Sequence, residues 1–291
     1  MINKMAYLGP RGTFCEQAAL GYADDNWDLI PYPSIEAVFS AVHLREVNSG
    51  IVPIENSCEG SVNQTLDLLA YEYDLKISGE IVLPVKHNLL ARTGIEFKNI
   101  SRILSHPQAL AQCRKYLSGN FQGLECVDVT STAEAARRVA ESADSWAAVG
   151  TAEAARAYGL VILSPEIQDR TNNETRFITL SEERNYVAGE DHPHLYKTTL
   201  LLYLLNKPGA LFQALEQFYL HGINLTKIES RPAHTRIGDY LFFIDIEGHH
   251  LDSQVKTALE GLKTIAHDVR VLGSYPSAAC TSYCPNNNIK L

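Results

Sequence analysis

The segment from Asn172 to Phe177 places a hydroxyl donor beside a fixed cation at the start of an apolar run. Thr175 and Arg176 are adjacent, and Phe177 begins the sequence Phe-Ile-Thr-Leu, which is typical of a buried strand. The pair has the groups needed to donate a hydrogen bond and to neutralise a negative charge. Most threonines just before a strand only bond neighbouring backbone groups, so the segment alone is weak support for catalysis.

Polar residues also follow the apolar run at residues 50–54, which predicts a strand. Glu55, Asn56 and Ser57 come directly after it. Open α/β sheets bind their ligands outside the carboxyl ends of their strands, so these side chains lie where a reaction would take place. Helix capping by Asn56 or Ser57, just before the turn at Gly60, explains the same pattern equally well.

Three further turns lead from a predicted strand into a predicted helix and carry capping signals. The sequence predicts capping boxes in which Thr13, Ser105 and Ser131 are the N-caps. The free N–H groups at a helix start form a ready site for an anion, although an ordinary strand-to-helix turn has the same pattern. Gln112 lies four residues after Gln108, so both share one face of the helix that follows Ser105.

The composition is that of a soluble globular protein. The chain has 291 residues, enough for about two domains, and 45% of them are hydrophobic. A net charge of -9 argues against nucleic acid and anionic membranes as partners. No apolar run reaches the length of a membrane span, and the first residues form no signal peptide, so we expect no targeting. The cysteine and histidine spacings contain no disulfide or metal motif, which predicts a reduced cytoplasmic protein without a metal.

Strand and helix signals alternate through the first part of the chain and predict an α/β domain with parallel sheets. Extended segments near residues 80 and 165 predict crossings between two lobes with a cleft between them. The later part shows the order β-α-β-β-α-β, which is the ferredoxin-like arrangement. The predicted divisions are an α/β domain at 1–182, a polar linker at 183–196, the ferredoxin-like domain at 197–275 and a mobile tail at 276–291.

Four separated motifs resemble those of prephenate dehydratases, and the last contains that family's Thr-Arg-Phe signature. Two motifs further on resemble the phenylalanine-sensing motifs of the family's ACT regulatory domain. Together they cover nearly the whole chain in the family's order. The first four run from Tyr7 to Phe14, from Val52 to Ser57, from Ser105 to Cys113 and from Asn172 to Phe177, and the other two are Gly209-Ala210-Leu211 and Glu229-Ser230-Arg231-Pro232.

The resemblance implies an enzyme that converts prephenate to phenylpyruvate, carbon dioxide and water on the way to L-phenylalanine. It implies a two-lobed catalytic domain like type 2 periplasmic binding proteins, followed by a ferredoxin-like ACT domain. No cofactor is implied, because the ring becomes aromatic as its carboxylate and hydroxyl leave together. No chorismate mutase-like helical region precedes Tyr7, so we expect the monofunctional form.

Two other functions remain open at this point. Arogenate dehydratase differs only in recognising an amino group in place of the keto group, and the composition does not separate the two substrates. A non-catalytic protein is the rival from another class, since two-lobed folds of this kind also bind small molecules. The full context of Thr175 favours an enzyme.

The resemblance also implies which residues act. Thr175 matches the residue to which the family's proton donation is assigned, and Arg176 either binds a substrate carboxylate or forms a structural ion pair. Glu55 would repel a dianionic substrate unless it is protonated or bonded elsewhere. The implied catalytic residues are Thr175, Arg176, Asn56, Ser105, Gln112 and Glu55, and the implied substrate-binding residues are Gly12, Thr13, Ser57, Thr130, Ser131, Thr132 and Phe177.

The ACT resemblance implies an effector site for L-phenylalanine, formed where two such domains pair in a homodimer or homotetramer. Free N–H groups at the helix that follows Pro208 suit the ligand's carboxylate, and Glu229 suits its ammonium group. A surface ion pair between Glu229 and Arg231 is the alternative. The implied effector-binding residues are Pro208, Gly209, Ala210, Leu211, Asn224, Glu229, Ser230, Arg231 and Pro232.

Overall fold

The computed structural model describes residues 2–182, 196–233 and 239–278. The chain divides into two compact units, one of Met1–Leu68 and Ile81–Phe177 and the other of Leu69–Glu80 and Ile178–Leu291. The predicted linker and tail lie almost entirely outside the described residues, so both stay predictions.

The first sheet alternates with helices along the chain. Its strands are β1 (Asn3–Leu8), β2 (Trp27–Tyr32), β3 (Ser49–Asn56), β4 (Gly60–Ser61), β5 (Lys76–Pro84) and β11 (Glu174–Ser181). The order across the sheet is β2-β1-β3-β11-β5, and β1 pairs with both β2 and β3 in parallel. β4 doubles back on β3. The order places β11, which carries the Thr-Arg-Phe motif, beside β3.

The second sheet is formed by the stretch between β5 and β11. Its strands are β6 (Asn88–Ala91), β7 (Arg102–Ser105), β8 (Glu125–Asp128), β9 (Trp146–Gly150) and β10 (Val161–Ser164), in the order β10-β6-β9-β7-β8. The chain enters this sheet through residues 85–87 and returns to the first sheet through residues 165–173. A mixed α/β fold with two sheets is therefore confirmed for this part of the chain. The prediction of parallel sheets is wrong for the second one, because β6 pairs antiparallel with both β9 and β10.

Helices connect the strands of these two sheets. They are α1 (Phe14–Tyr22), α2 (Ile35–His43), α3 (Asn63–Asp67), α4 (Pro107–Gln112), α5 (Arg114–Asn120), α6 (Thr132–Glu141) and α7 (Ala152–Tyr158). Side-chain oxygens of Thr13 and Ser131 cap α1 and α6, as predicted. α2 ends at His43, because Arg45 takes a left-handed conformation with a φ of 59° that no helix continues.

The third sheet confirms the ferredoxin-like prediction. Its elements are β12 (Tyr196–Leu204), α8 (Ala210–Leu220), β13 (Leu225–Pro232), β14 (Tyr240–Glu247), α9 (Ser253–Ile265) and β15 (Asp268–Pro276). The strands pair antiparallel in the order β13-β14-β12-β15. Leu200 and Ile244 of the sheet are fully buried with Phe218 of α8 and Leu262 of α9, so the two helices cover one face of the sheet.

Candidate active site

Asn56 ends β3, and the backbone that follows it fixes its side-chain amide in one orientation. Asn56 Oδ1 accepts hydrogen bonds from the N–H groups of Cys58 and Glu59, both at 3.0 Å. Asn56 Nδ2 therefore faces the start of β11, where it donates to Asn173 Oδ1 at 2.9 Å and to Thr175 Oγ1 at 2.8 Å. The end of β3 thus aligns the start of the neighbouring strand.

Thr175 is half-buried at the start of β11 and keeps its hydroxyl hydrogen free. Its oxygen accepts the hydrogen bond from Asn56, and a hydroxyl group has one further hydrogen to donate. No acceptor for that hydrogen lies among the residues that the structure describes. The Thr175 hydroxyl is therefore oriented by the protein and available to a ligand.

Gln112 is the last residue of α4, and its side-chain oxygen is held on two sides. Gln112 Oε1 accepts from Asn173 Nδ2 at 3.3 Å and lies 3.0 Å from His87 Nε2. Asn173 and His87 are each only 3% exposed, so both partners are fixed by burial. The Gln112 Nε2 group has no acceptor within the described part of the chain. It is the second free donor of this network.

Ser57 ties β3 to β11 through the backbone. The Ser57 N–H donates to the Glu174 carbonyl at 2.9 Å, and the Glu174 N–H donates to Ser57 Oγ at 2.9 Å. These bonds hold the residue before Thr175 against the strand end. The predicted substrate contact of Ser57 stays a prediction, and its observed bonds stabilise the site's framework.

Arg176 and Phe177 follow Thr175 on β11 and are both buried. Arg176 is buried and forms an ion pair with Glu55, with 3.7 Å between Arg176 Nη1 and Glu55 Oε2. This geometry favours the structural interpretation of Arg176 and gives the Glu55 carboxylate a counter-charge. Phe177 is 1% exposed and packs in the core beside Met5 and Tyr7, which favours a structural role, and its predicted substrate contact stays a prediction.

The turn at Gly12 and Thr13 is less open than the sequence predicts, and its substrate contacts stay predictions. The Gly12 N–H donates to Glu16 Oε2 at 2.6 Å, and the Thr13 hydroxyl donates to the Leu8 carbonyl at 3.0 Å. Glu16 also places a carboxylate at this helix start, which disfavours an anion there. Gly12 is required for another reason, because a Cβ in its place would lie 2.6 Å from the Cα of Ala154.

Ser105 is fully buried at the end of β7 and does not cap a helix. Its hydroxyl donates to the Val149 carbonyl of β9 at 2.7 Å, and His106 caps α4 instead. The predicted cap was wrong because a Ser-x-x-Gln pattern does not reveal whether the serine is buried. With its hydrogen already donated, Ser105 supports the second sheet and has none to offer a substrate.

The turn at residues 130–132 is built around a cluster of charges. Ser131 Oγ accepts from the Glu134 N–H at 3.0 Å and caps α6. Arg137 and Arg138 each bond the Glu134 carboxylate at distances of 2.7 to 2.9 Å. The hydrogen bonds from Arg137, with a smaller contribution from Arg138, lower the pKa of Glu134 from 4.5 to about 2. Exposed Thr130 and half-buried Thr132 keep their predicted substrate contacts as predictions.

Thiol chemistry has no support at the buried cysteines. Burial raises the pKa of the Cys15 and Cys113 thiols to about 12, so neither forms a thiolate at neutral pH.

Among the described residues, no group of three His, Cys, Asp or Glu side chains is placed to hold a metal ion. In the same ranges no helix is long and apolar enough to cross a membrane.

Sequence reasoning missed Asn173, which links Asn56 to Gln112, and His87, which contacts Gln112. Asn173 stands two residues before Thr175 in the same motif, so its position was visible although its role was not. His87 lies between β5 and β6, and its contact with Gln112 joins residues that are 25 positions apart. Nothing in the local pattern around His87 indicates that contact.

Comparison with known proteins decides the family. The family model described as Prephenate dehydratase matches residues 5–185, and the model described as ACT domain matches residues 198–264. The chain belongs to the prephenate dehydratase family. It carries the dehydratase region and the ACT domain in one sequence, as the six motifs indicate.

Relatives within the prephenate dehydratase family cover nearly all of the chain. Prephenate dehydratase of Methanocaldococcus jannaschii is 41% identical over 281 residues, which are 95% of this chain and 99% of the relative. Arogenate dehydratase/prephenate dehydratase 2, chloroplastic, of Arabidopsis thaliana is 41% identical over 283 residues, 94% of this chain and 72% of the relative. The chain is therefore a dehydratase enzyme.

A solved prephenate dehydratase has the same fold. The crystal structure of the Arthrobacter aurescens prephenate dehydratase in complex with L-Phe has a TM-score of 0.86 to this chain and 37% sequence identity. The match covers 95% of this chain and 90% of the other. Both the two α/β sheets and the ferredoxin-like domain therefore belong to the shared fold.

Proposed function

We propose that this chain converts prephenate to phenylpyruvate, carbon dioxide and water in the biosynthesis of L-phenylalanine. One observation carries the proposal: Asn56 accepts two backbone N–H bonds and is thereby fixed as a donor to Thr175, at 2.8 Å. This orientation leaves the hydroxyl hydrogen of Thr175 free for the substrate. Membership of the family supplies the substrate class.

The reaction needs an aligned donor more than a strong acid. The bond to the ring carboxylate breaks, its electron pair enters the ring, and the C4 hydroxyl leaves with its own bonding pair. Carbon dioxide and, after the departing oxygen takes a proton, water are released as the ring becomes aromatic. Thr175 donates to that oxygen, and its hydrogen bond strengthens as negative charge develops there.

The rest of the network holds the donor in place. A threonine hydroxyl is a poor acid in water, so its contribution depends on a fixed geometry. Asn56 and Ser57 supply that geometry by tying the end of β3 to the start of β11. The Gln112 Nε2 group is neutral and free to donate, which suits it to orient an anionic substrate.

Turnover by the full-length chain tests this proposal. Purified protein is mixed with prephenate, and the formation of phenylpyruvate is followed by its absorbance. In a parallel reaction the protein is mixed with arogenate, and the formation of phenylalanine is measured by mass spectrometry. We expect phenylpyruvate from prephenate, and a folded chain that leaves both substrates unchanged would contradict the proposal. Turnover of arogenate alone would replace it with arogenate dehydration, the second candidate, which the name of the Arabidopsis thaliana relative favours.

Regulation by L-phenylalanine at the ACT region is the second part of the proposal. Gly209 stands before α8 with a φ of 81°, and no side chain of the described residues caps that helix. The Ala210 N–H donates to the Lys207 carbonyl at 3.2 Å, so a carboxylate would bind the N–H groups that follow it in the first turn. Asn224 lies between α8 and β13. Its Nδ2 group donates to Glu247 Oε1 at 3.0 Å, which fixes the start of β13. The Arthrobacter aurescens structure, described as a complex with L-Phe, supports this effector.

Pairing of two ACT domains completes the proposed regulatory site. Phe212 and Tyr219 lie seven residues apart on α8, hence on one face, and are 69% and 82% exposed. Large apolar side chains this exposed favour a second copy of the chain. Light scattering on the full chain, with and without phenylalanine, should show a dimer or tetramer, and Phe212→Glu with Tyr219→Glu should weaken it. Inhibition by phenylalanine of a strictly monomeric chain would contradict the pairing.

A further inference from the structure

His87 lies between β5 and β6 with its ring fixed beside the Gln112 side chain. The residue is 3% exposed, and its Nε2 atom is 3.0 Å from Gln112 Oε1. Its backbone N–H donates to Gln168 Oε1 at 3.0 Å, and its carbonyl accepts from the Ile167 N–H at 2.8 Å. The ring of Phe14 meets the imidazole edge-on, with 5.7 Å between the centroids. These contacts fix the backbone position of His87 and the orientation of its ring.

A chain of amide orientations decides which atom of Gln112 faces His87. Asn56 Oδ1 accepts from two backbone N–H groups, so Asn56 Nδ2 must be the atom that meets Asn173 Oδ1. Asn173 therefore presents Nδ2 to Gln112, and the Gln112 atom that accepts it is Oε1. Since an amide oxygen cannot donate, the hydrogen between His87 and Gln112 belongs to His87 Nε2.

The other ring nitrogen of His87 is consistent with this assignment. His87 Nδ1 is buried and has no hydrogen-bond partner among the described residues. A hydrogen on Nδ1 would need an acceptor there, and a charged ring would need both an acceptor and a counter-ion. Burial also lowers the pKa of His87 below its usual value of 6.5, against a smaller opposing effect of the bond to Gln112. The ring is therefore neutral at physiological pH, with its one hydrogen on Nε2.

We propose that His87 is a positioning residue, which as the Nε2–H tautomer holds Gln112 Oε1 and so turns the Gln112 Nε2 group toward the substrate. The free amide hydrogens of Gln112 then face away from its two bonded partners. The role of that group in turnover rests on the proposed function, whereas the tautomer and the amide orientation do not.

Three substitutions at one position separate the donor from the volume of the ring. His87→Gln places an amide N–H about where Nε2 stands, His87→Asn places it about where Nδ1 stands, and His87→Leu has no donor. We expect kcat/KM to fall up to about 100-fold for the Leu and Asn variants, the scale of a small misplacement of a site group. His87→Gln should recover most of that loss. Equal losses in the Gln and Asn variants would overturn the proposal.

A double-mutant cycle tests whether His87 acts through Gln112. If it does, His87→Leu should lower kcat/KM in the wild-type chain but add little in a Gln112→Leu chain. A structural role alone would give losses that multiply, and that result would overturn the proposal. Unfolding by urea, measured on the same four proteins, shows whether the losses follow stability instead.

Nitrogen-15 NMR of the histidine-labelled wild-type chain needs no variant and no substrate. The spectrum should show His87, identified by the peak missing from His87→Gln, with Nε2 protonated and Nδ1 bare at neutral pH. An Nδ1–H ring or an imidazolium would overturn the proposal whatever the activities are. A wild-type chain that turns over neither dehydratase substrate would end the proposed function, while this spectrum would still decide the tautomer.

Discussion

The network around Asn56 and the helix start at Gly209 carry the two sets of family motifs, and their polar groups are satisfied in different ways. In the network, Asn56, Asn173 and His87 bond to one another or to Gln112, and free donors remain on Thr175 and Gln112. At Gly209, no side chain caps α8. The network leaves two side-chain donors free, whereas the helix start has one backbone N–H bonded to the Lys207 carbonyl and no side-chain cap among the described residues.

This difference determines how each region should respond to mutation. In the network, each side chain makes its own hydrogen bonds, so one substitution should remove those bonds and leave the other bonds of the network in place. At the helix start, the proposed binding would depend on backbone conformation and on the exposed apolar face of α8, which includes Phe212 and Tyr219. Substitutions there should change inhibition and association together and leave the uninhibited rate unchanged.

The largest expected effect is at Thr175. Thr175→Val keeps the shape and removes the donor, so kcat should fall about 100- to 1000-fold, the usual loss for one transition-state donor. KM should change little, and Thr175→Ser should retain more activity because it keeps the hydroxyl. Steady-state formation of phenylpyruvate measures both constants.

Thr179 provides the matched control on the same strand. It is fully buried, and its hydroxyl lies 3.0 Å from Ser78 Oγ, so Thr179→Val removes a structural bond worth about 1 kcal/mol. Its kcat should stay near the wild-type value. If both valine variants lost activity in proportion to stability, Thr175 would have no special task.

The next effect compares Gln112 with Ser105. Gln112→Leu removes a free donor, so kcat/KM should fall about 10- to 100-fold, since a hydrogen bond to a charged group contributes about 1.5–3 kcal/mol. Ser105→Ala removes the bond to the Val149 carbonyl, so it should reduce the free energy of unfolding by about 1–3 kcal/mol. Kinetic constants and urea unfolding of both variants test this. An active but unstable Gln112→Leu chain would reverse their roles.

The same comparison shows how far the sequence predicts this site. The family resemblance implied roles for Asn56 and Thr175, and the structure brings the two together because β3 and β11 are neighbouring strands. Ser105 was predicted to be a helix cap and is not one. A capping pattern is read from neighbouring residues, whereas burial depends on the packing of distant ones. Gly12 is needed because α7 packs too close to leave room for a side chain, and the Gly12 N–H donates to the Glu16 carboxylate. Contacts of this kind depend on packing, which local spacing does not contain.

The fold was predicted more completely than the site. Alternating strand and helix signals reflect backbone periodicity and burial, so they indicate the two α/β sheets and the order β-α-β-β-α-β. His87 shows the limit, because a lone histidine between two strands has no periodic signal. Its partner is set by the way α4 meets the segment after β5, which is a property of the folded chain.

A smaller effect is expected at Gly209. Gly209→Val should strain the backbone at a φ of 81° and disturb the open helix start, so about tenfold more phenylalanine should be needed for inhibition. Glu229→Ala should act in the same direction by removing the proposed partner of the ligand's ammonium group. Inhibition curves and calorimetry with phenylalanine on the full chain measure the change.

Gly222 is the control at the other end of α8. It also has a positive φ, of 64°, and an added Cβ would meet no atom of the described residues within 4 Å, so Gly222→Val carries similar strain. Inhibition should be preserved in this variant. If Gly209→Val and Glu229→Ala left inhibition unchanged, phenylalanine would be acting outside the ACT motifs.

The smallest expected effect concerns acid. The side chains of the Asn56 network are neutral, whereas the turn before α6 depends on Glu134 and its two arginines. Because the folded pKa of Glu134 is depressed to about 2, its contribution is complete above pH 4.5 and is lost as the pH falls toward 2. Glu134→Gln should therefore reduce the free energy of unfolding by about 1 kcal/mol at pH 6, and the difference should vanish near pH 2. Glu125→Gln breaks a single and more exposed ion pair with Arg102, so it should cost less. Urea unfolding at the two pH values measures both variants, and an equal loss at pH 6 and pH 2 would show that the Glu134 charge does not stabilise the turn.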